Sequence, residues 1–240
     1  MLVDAHCHLD EIPQYLPQKD ILPVICGHSH SSNLKIIQIA KKHRLPFVLG
    51  ISPQAAQKED LSSLDEWMET IRKNKPCAIG EIGLDYHWAK NEDQKKNQLF
   101  VFDRMLDLAE ELHLPTVLHC RDAGDELLTI LENHKTQSAE RKTVSAMWHF
   151  FSGTEAQAKK ALDMGMLLSF PPLPSKSRER AIRLAPLEKI LVETDAPAAA
   201  RSPREITKAI EYVASVKRLS FEDVARQTAK NAARLFNLKL

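Results

Sequence analysis

The sequence lacks any run approaching the roughly 18 consecutive apolar residues a membrane span needs, so no membrane association is expected. It also lacks the basic and then apolar segment of a secretion signal, since its first residues are strand-like and carry acids and histidines. Cys-x-x-Cys pairs are absent. Cys7, Cys26, Cys77 and Cys120 are scattered singly in apolar segments, which argues against a zinc ribbon or a disulfide framework and for reduced core thiols in a cytoplasmic protein. An excess of one charge is missing as well, the formal net charge being +1 at pH 7. A protein that grips duplex nucleic acid mainly by neutralising phosphates carries a basic excess, so any phosphate handled here is expected to be held locally. No low-complexity segment or linker interrupts the chain, and no Gly-rich phosphate fingerprint follows its first apolar segment.

What is present is an alternation. Eight short apolar segments read as strands, at 2–8, 21–26, 47–51, 77–79, 116–119, 144–148, 166–170 and 189–195. Helical patterns separate them. Asn33 reads as a cap for the helix after the second strand, and Ser62 with Asp65 has capping-box spacing for a helix over 62–73. Thr154 with Gln157 repeats that spacing, Ser202-Pro203-Arg204-Glu205 reads as a strong helix start, and an amphipathic helix over 221–236 is expected outside the sheet. The glycines of Gly80-Glu81-Ile82-Gly83 predict a sharp turn that ends the fourth strand and aims Glu81 and Asp85. At 240 residues and 43% hydrophobic content the chain can bury a full core. Eight such units predict an α/β fold, a single (β/α)8 TIM barrel over residues 1–240. A doubly wound open sheet is the alternative, disfavoured because polar residues end many different strands.

Those polar residues suggest the chemistry. In an extended strand residues two apart share a side, so His6 and His8 can present both imidazoles to one point, most simply a metal ion. Glu81, His119, His149 and Asp195 end the fourth, fifth, sixth and eighth strands. Each alone also fits a loop cap or a core histidine, but a barrel gathers all strand ends on one face, and six ligand-type side chains there point to a site. Four imidazoles and two carboxylates suit two divalent ions (Mg, Mn or Zn), with Glu81 shared and open positions left for water and substrate. A metal-activated water is the expected nucleophile, and Asp195 the expected acceptor and donor of its proton.

The runs Asp4-Ala5-His6-Cys7-His8-Leu9-Asp10, Gly80-Glu81-Ile82-Gly83-Leu84-Asp85-Tyr86, His119-Cys120-Arg121-Asp122-Ala123, His149-Phe150-Phe151-Ser152-Gly153 and Glu193-Thr194-Asp195-Ala196-Pro197 resemble the motif series of the TatD family. These are metal-dependent, deoxyribonuclease-like members of the amidohydrolase superfamily. The series keeps family order and closes with Lys230-Asn231-Ala232-Ala233-Arg234-Leu235-Phe236. The resemblance implies a phosphodiester hydrolase in which His6, His8, Glu81 and Asp195 surround one ion, and Glu81, His119 and His149 the other. It also implies that Glu193 helps hold an additional ion.

The sequence departs from the family in two places. Gly50-Ile51-Ser52-Pro53-Gln54 stands where the family commonly has a Gly-x-His-Pro-His type segment, and Ala198-Ala199-Ala200-Arg201 lacks the usual aromatic. His28 and His30 end the second strand and read as solvated loop residues that are placed to replace the lost imidazoles. Arg121, fixed by the strand that carries His119, is the expected phosphate contact, with Lys176, Arg178 and Arg201 on neighbouring loops and Trp88 lining the pocket. DNA ends or single strands are the expected substrate, because a barrel mouth does not admit the middle of a duplex. The alternatives are cleavage of a small amide, ester or lactone at the same site, or a metal-retaining binding module. No obligate protein partner is indicated.

Overall fold

Short strands that carry apolar residues on both faces must be covered on both, and a ring of parallel strands wrapped in helices does so without leaving an edge. The computed structural model describes residues 1–137 and 145–240. Strands β1 (Leu2–Cys7), β2 (Ile21–Cys26), β3 (Phe47–Leu49), β4 (Ala78–Asp85), β5 (Thr116–Arg121), β6 (Ala146–Trp148), β7 (Leu167–Phe170) and β8 (Ile190–Val192) form one parallel sheet in sequence order. That order matches the expected barrel and excludes the doubly wound alternative. Val144, expected in the sixth strand, lies outside the described residues.

Hydrogen bonds just beyond the strand ends draw β8 to β1. The Asp195 N–H donates to the His6 carbonyl at 2.9 Å, and the His8 N–H donates to the Ala196 carbonyl at 2.8 Å. Buried Asp4 reinforces the seam by accepting from the Thr194 backbone N–H at 2.8 Å and from its hydroxyl.

The helices are α1 (His30–His43), α2 (Pro53–Ala56), α3 (Leu64–Asn74), α4 (Glu92–Glu111), α5 (Gly124–Gln137), α6 (Glu155–Asp163), α7 (Lys176–Leu184), α8 (Ile206–Lys217) and α9 (Phe221–Phe236). The Thr154–Gln157 capping box starts α6 as expected. Two other starts differ. Ser29, in extended conformation, caps α1, so Asn33 falls inside the helix, where its amide donates to the Gly50 carbonyl at 2.9 Å. Ser62 lies in a single 3-10 turn (Leu61–Ser63) capped by Asp60, and α3 continues from that turn.

The fourth strand differs most. Its glycines do not end it. β4 runs through Glu81 to Asp85, with an irregular register against β5 between Gly80 and Ile82. Gly83 has φ +138°, and a Cβ there would lie 2.1 Å from the His119 carbonyl oxygen. The missing side chain thus lets β4 press against β5 where both carry site residues.

Every strand contributes to one inner cluster that includes Val3, Val24, Val48, Val117, Met147 and Leu191, so this cluster fills the barrel. Ala229, Ala232 and Phe236 of α9 join it. Val224 and Ala225 of the same helix belong to the larger core between sheet and helices. The last helix therefore plugs the barrel as well as covering its outside.

Candidate metal centre

The C-terminal ends of five strands deliver six side chains to one point. Glu81 lies at the centre and is nearly buried. Its Oε2 is 3.8 Å from His6 Nε2 and 3.6 Å from His8 Nε2, while its Oε1 is 2.6 Å from His119 Nδ1 and 3.3 Å from His149 Nε2. Asp195 Oδ1 stands 3.7 Å from His6 Nε2 and 3.5 Å from His8 Nε2. Asp195 has φ +44°, a left-handed turn that swings its side chain into the mouth directly after β8.

Two of the imidazoles are hydrogen-bonded from behind, and a third faces a buried carboxylate. His8 Nδ1 is 3.0 Å from the Cys26 carbonyl, so Nδ1 carries the proton and Nε2 faces the cluster. His119 Nε2 is 2.9 Å from Asp85 Oδ2, which turns Nδ1 toward Glu81. His149 Nδ1 lies 3.5 Å from Glu193 Oε1, leaving Nε2 for Glu81. Histidines that ligate metals are oriented by carboxylates and carbonyls in this manner.

Charge follows from burial and proximity. Burial depresses His6 well below the usual imidazole range, helped by His149 and His8. Burial acts the same way on His8, but the Asp195 and Glu81 carboxylates carry it up to about 9. His119 and His149 are likewise raised, His149 strongly, because their carboxylate partners outweigh burial. Burial alone would raise Glu81, yet His149 and His119 hold it well below the carboxylate range. The centre is an anion inside a ring of bases.

Such a set fits divalent cations. Groups of three ligand atoms lie within 4.8 Å of one another in His6–His8–Glu81, in Glu81–His119–His149 and in His6–His149–Asp195. Nitrogen and oxygen ligands at about 2.0–2.2 Å from a shared ion stand roughly 3–4 Å apart, as most of these pairs do. The third grouping crosses the division of ligands that the resemblance implies, so the two halves are contiguous.

A profile of the TatD-related DNase family matches residues 3–237. The chain belongs to the TatD family. Deoxyribonuclease TATDN3 of Homo sapiens is 31% identical, over 98% of this chain and 94% of that protein. The uncharacterized metal-dependent hydrolase YabD of Bacillus subtilis is 29% identical, over 99% of this chain and all of its own length. Among solved structures, the TatD homologue YJJV of Escherichia coli K12 superposes with a TM-score of 0.86 at 24% identity, covering 99% and 98% of the two chains.

Around the centre of this TatD-family chain, the other residues singled out from the sequence take different places. Ser52 caps α2, and the Gln54 amide donates to Asp85 Oδ2 at 2.6 Å, with His119 Nε2 3.3 Å away. Gln54 thus supports His119 through Asp85. His28 lines the cavity, its ring edge-on to His8 at 5.2 Å and its Nε2 3.3 Å from Glu11 Oε1. His30 does not; its ring stacks on Trp67 at 5.5 Å. Arg121 is exposed, with its guanidinium 5.9 Å from the centre of the Trp88 ring. Arg178 and Arg121 line an adjoining cavity that shares His119, His149 and Asp195 with the first, whereas Lys176 and Arg201 are exposed and do not line it.

Glu193, which the resemblance gives to an additional ion, is fully buried; it takes the Phe150 N–H at 2.5 Å and faces His149. Asp85, which the sequence reading aims by the glycines but leaves out of the site, belongs to it through His119. Its spacing of four from Glu81 puts both on one face of an extended strand, which is the signal that identifies it.

Proposed function

We propose that this TatD-family chain is a metal-dependent deoxyribonuclease that hydrolyses phosphodiesters at DNA ends or in single strands, with two divalent cations (Mg, Mn or Zn). The observation that supports it is the division of Glu81, with two imidazoles on each carboxylate oxygen. His6, His8 and Asp195 would hold one cation, His119 and His149 the other, and Glu81 both. When bound, such cations neutralise phosphate charge and bring the pKa of water to about 7.

Asp195 borders the open cavity and accepts the proton of the attacking water as its oxygen bonds to phosphorus. The bond from phosphorus to the sugar oxygen breaks, and Asp195 returns the proton to that oxygen. Arg121, exposed at the rim, takes a phosphate oxygen of the strand. The four free thiols suit a reducing compartment, so the activity is assigned to the cytoplasm.

The test is cleavage of end-labelled single-stranded DNA by chelated protein resupplied with Mg²⁺ or Mn²⁺. Product that appears only with the cation is expected. Because Gln54 is engaged behind His119, leaving fewer imidazoles toward substrate, hydrolysis of small esters or amides is the second reading. Turnover of those compounds with DNA left intact would establish it, and metal uptake without any turnover would leave a binding module.

A further inference from the structure

Beside the histidine cluster the mouth opens into a cavity of about 440 Å³, lined by His119, His149 and Asp195 together with Arg121, Phe150 and Arg178. That volume lies within the range of roughly 300–1,000 Å³ found for small-ligand sites. Arg178 is half-buried and fixed. Its Nε donates to the Phe151 carbonyl at 3.0 Å, its Nη1 donates to the Leu173 carbonyl at 2.8 Å, and its guanidinium lies 4.8 Å from the centre of the Phe150 ring.

Among the described residues no carboxylate forms an ion pair with Arg178 or Arg121, whereas Arg183 on the same helix as Arg178 has Glu179 at 3.4 Å. Burial disfavours the charge on Arg178 more than Tyr212 and Glu193 favour it. A guanidinium that is partly desolvated, oriented by two carbonyls and short of an anion is built to receive one. Each arginine also lies over an aromatic ring, and Trp88 leaves 53% of its surface exposed.

We propose that Arg178 and Arg121 seat a second phosphate of the substrate strand, next to the phosphodiester held at the histidine cluster, with Phe150 and Trp88 stacking the flanking bases. The preferred substrate is then an oligonucleotide with at least two phosphates, and an isolated diester is a poor one. This rests on the nuclease reading above.

Three thymidine dinucleotides test it, carrying no terminal phosphate, a 5′-phosphate or a 3′-phosphate. Wild-type enzyme with Mn²⁺ is expected to show a KM about tenfold to a hundredfold lower for one phosphorylated form, as one charge-assisted contact supplies. In Arg178→Met that advantage is lost, and Arg178→Lys restores only part of it. Calorimetry of the same dinucleotides on chelated protein, where no turnover occurs, should show the same loss in affinity. Equal KM for all three in wild type, or equal impairment of all three in Arg178→Met, overturns the proposal. If none is cleaved but binding still depends on Arg178 and on the terminal phosphate, the seat stands and the nuclease reading falls. Binding indifferent to Arg178 overturns the seat.

Discussion

His149 joins two carboxylates: its Nδ1 lies 3.5 Å from Glu193 Oε1 and its Nε2 3.3 Å from Glu81 Oε1. Glu193 is fully buried and Glu81 nearly so, so one ring passes orientation from the core to the cluster. Glu193→Gln keeps the shape and removes the charge behind the ring. Metal affinity is expected to fall about 10- to 100-fold, with the number of ions at saturation unchanged. Metal titration by calorimetry measures both. Asp85→Asn, behind His119, should act alike.

Glu81 contacts all four imidazoles. Glu81→Ala is expected to lower the ions bound per chain and to bring metal-dependent DNA cleavage to background. Metal analysis beside the nuclease assay reads it, and near-full activity in the variant would refute the shared-ligand role.

Protons compete with metal at this centre. In the metal-free cluster His8 titrates at about 9, and His119 and His149 are raised. Below those values the imidazoles hold protons that a cation must displace. Affinity is therefore expected to rise with pH toward 9, and binding at pH 7 to release protons. Calorimetric titrations in buffers of different ionisation enthalpy count them.

Asp4 makes stability pH-dependent in the opposite sense to most carboxylates. Burial pushes its pKa up to about 8 from 3.8, against the hydrogen bonds from Thr194 that pull it down. The unfolded chain loses this proton near pH 4 and the folded chain keeps it. Asp4's contribution to stability is thus whole below pH 4 and lost as pH rises to about 8, by about 1.4 kcal/mol per pH unit. In chelator, Asp4→Asn should become progressively more stable relative to wild type over that range, as denaturant melts at several pH values would show. Asp4→Ala, which strips a buried N–H of its acceptor, should cost about 1–3 kcal/mol at pH 4.

The barrel and the six converging side chains were legible because both follow from period. Alternating strands and helices fix the order, and residues at strand ends must meet wherever the ring closes. What escaped was local. Glycine marks a turn and a close approach equally, so the reach of β4 through Asp85 was not readable from Gly80 and Gly83. Glu193 and Asp195 are two apart and would share a side in a regular strand, but the left-handed backbone at Asp195 breaks the alternation. One therefore backs His149 while the other faces His6 and His8. At α1 both Ser29 and Asn33 are cap-type residues, and only the path of the loop decides between them.

The bonds between Asp4 and Thr194 cross 190 positions of sequence, and the seam they close also brings Asp195 to His6 and His8. During synthesis the first histidines emerge and wait while the ribosome makes the rest, on the order of ten to forty seconds at bacterial and eukaryotic elongation rates. Until Asp195 is made, the group of His6, His149 and Asp195 is incomplete and the seam between the first and last strands cannot close. The complete ligand set is in this way withheld until the last strand has docked.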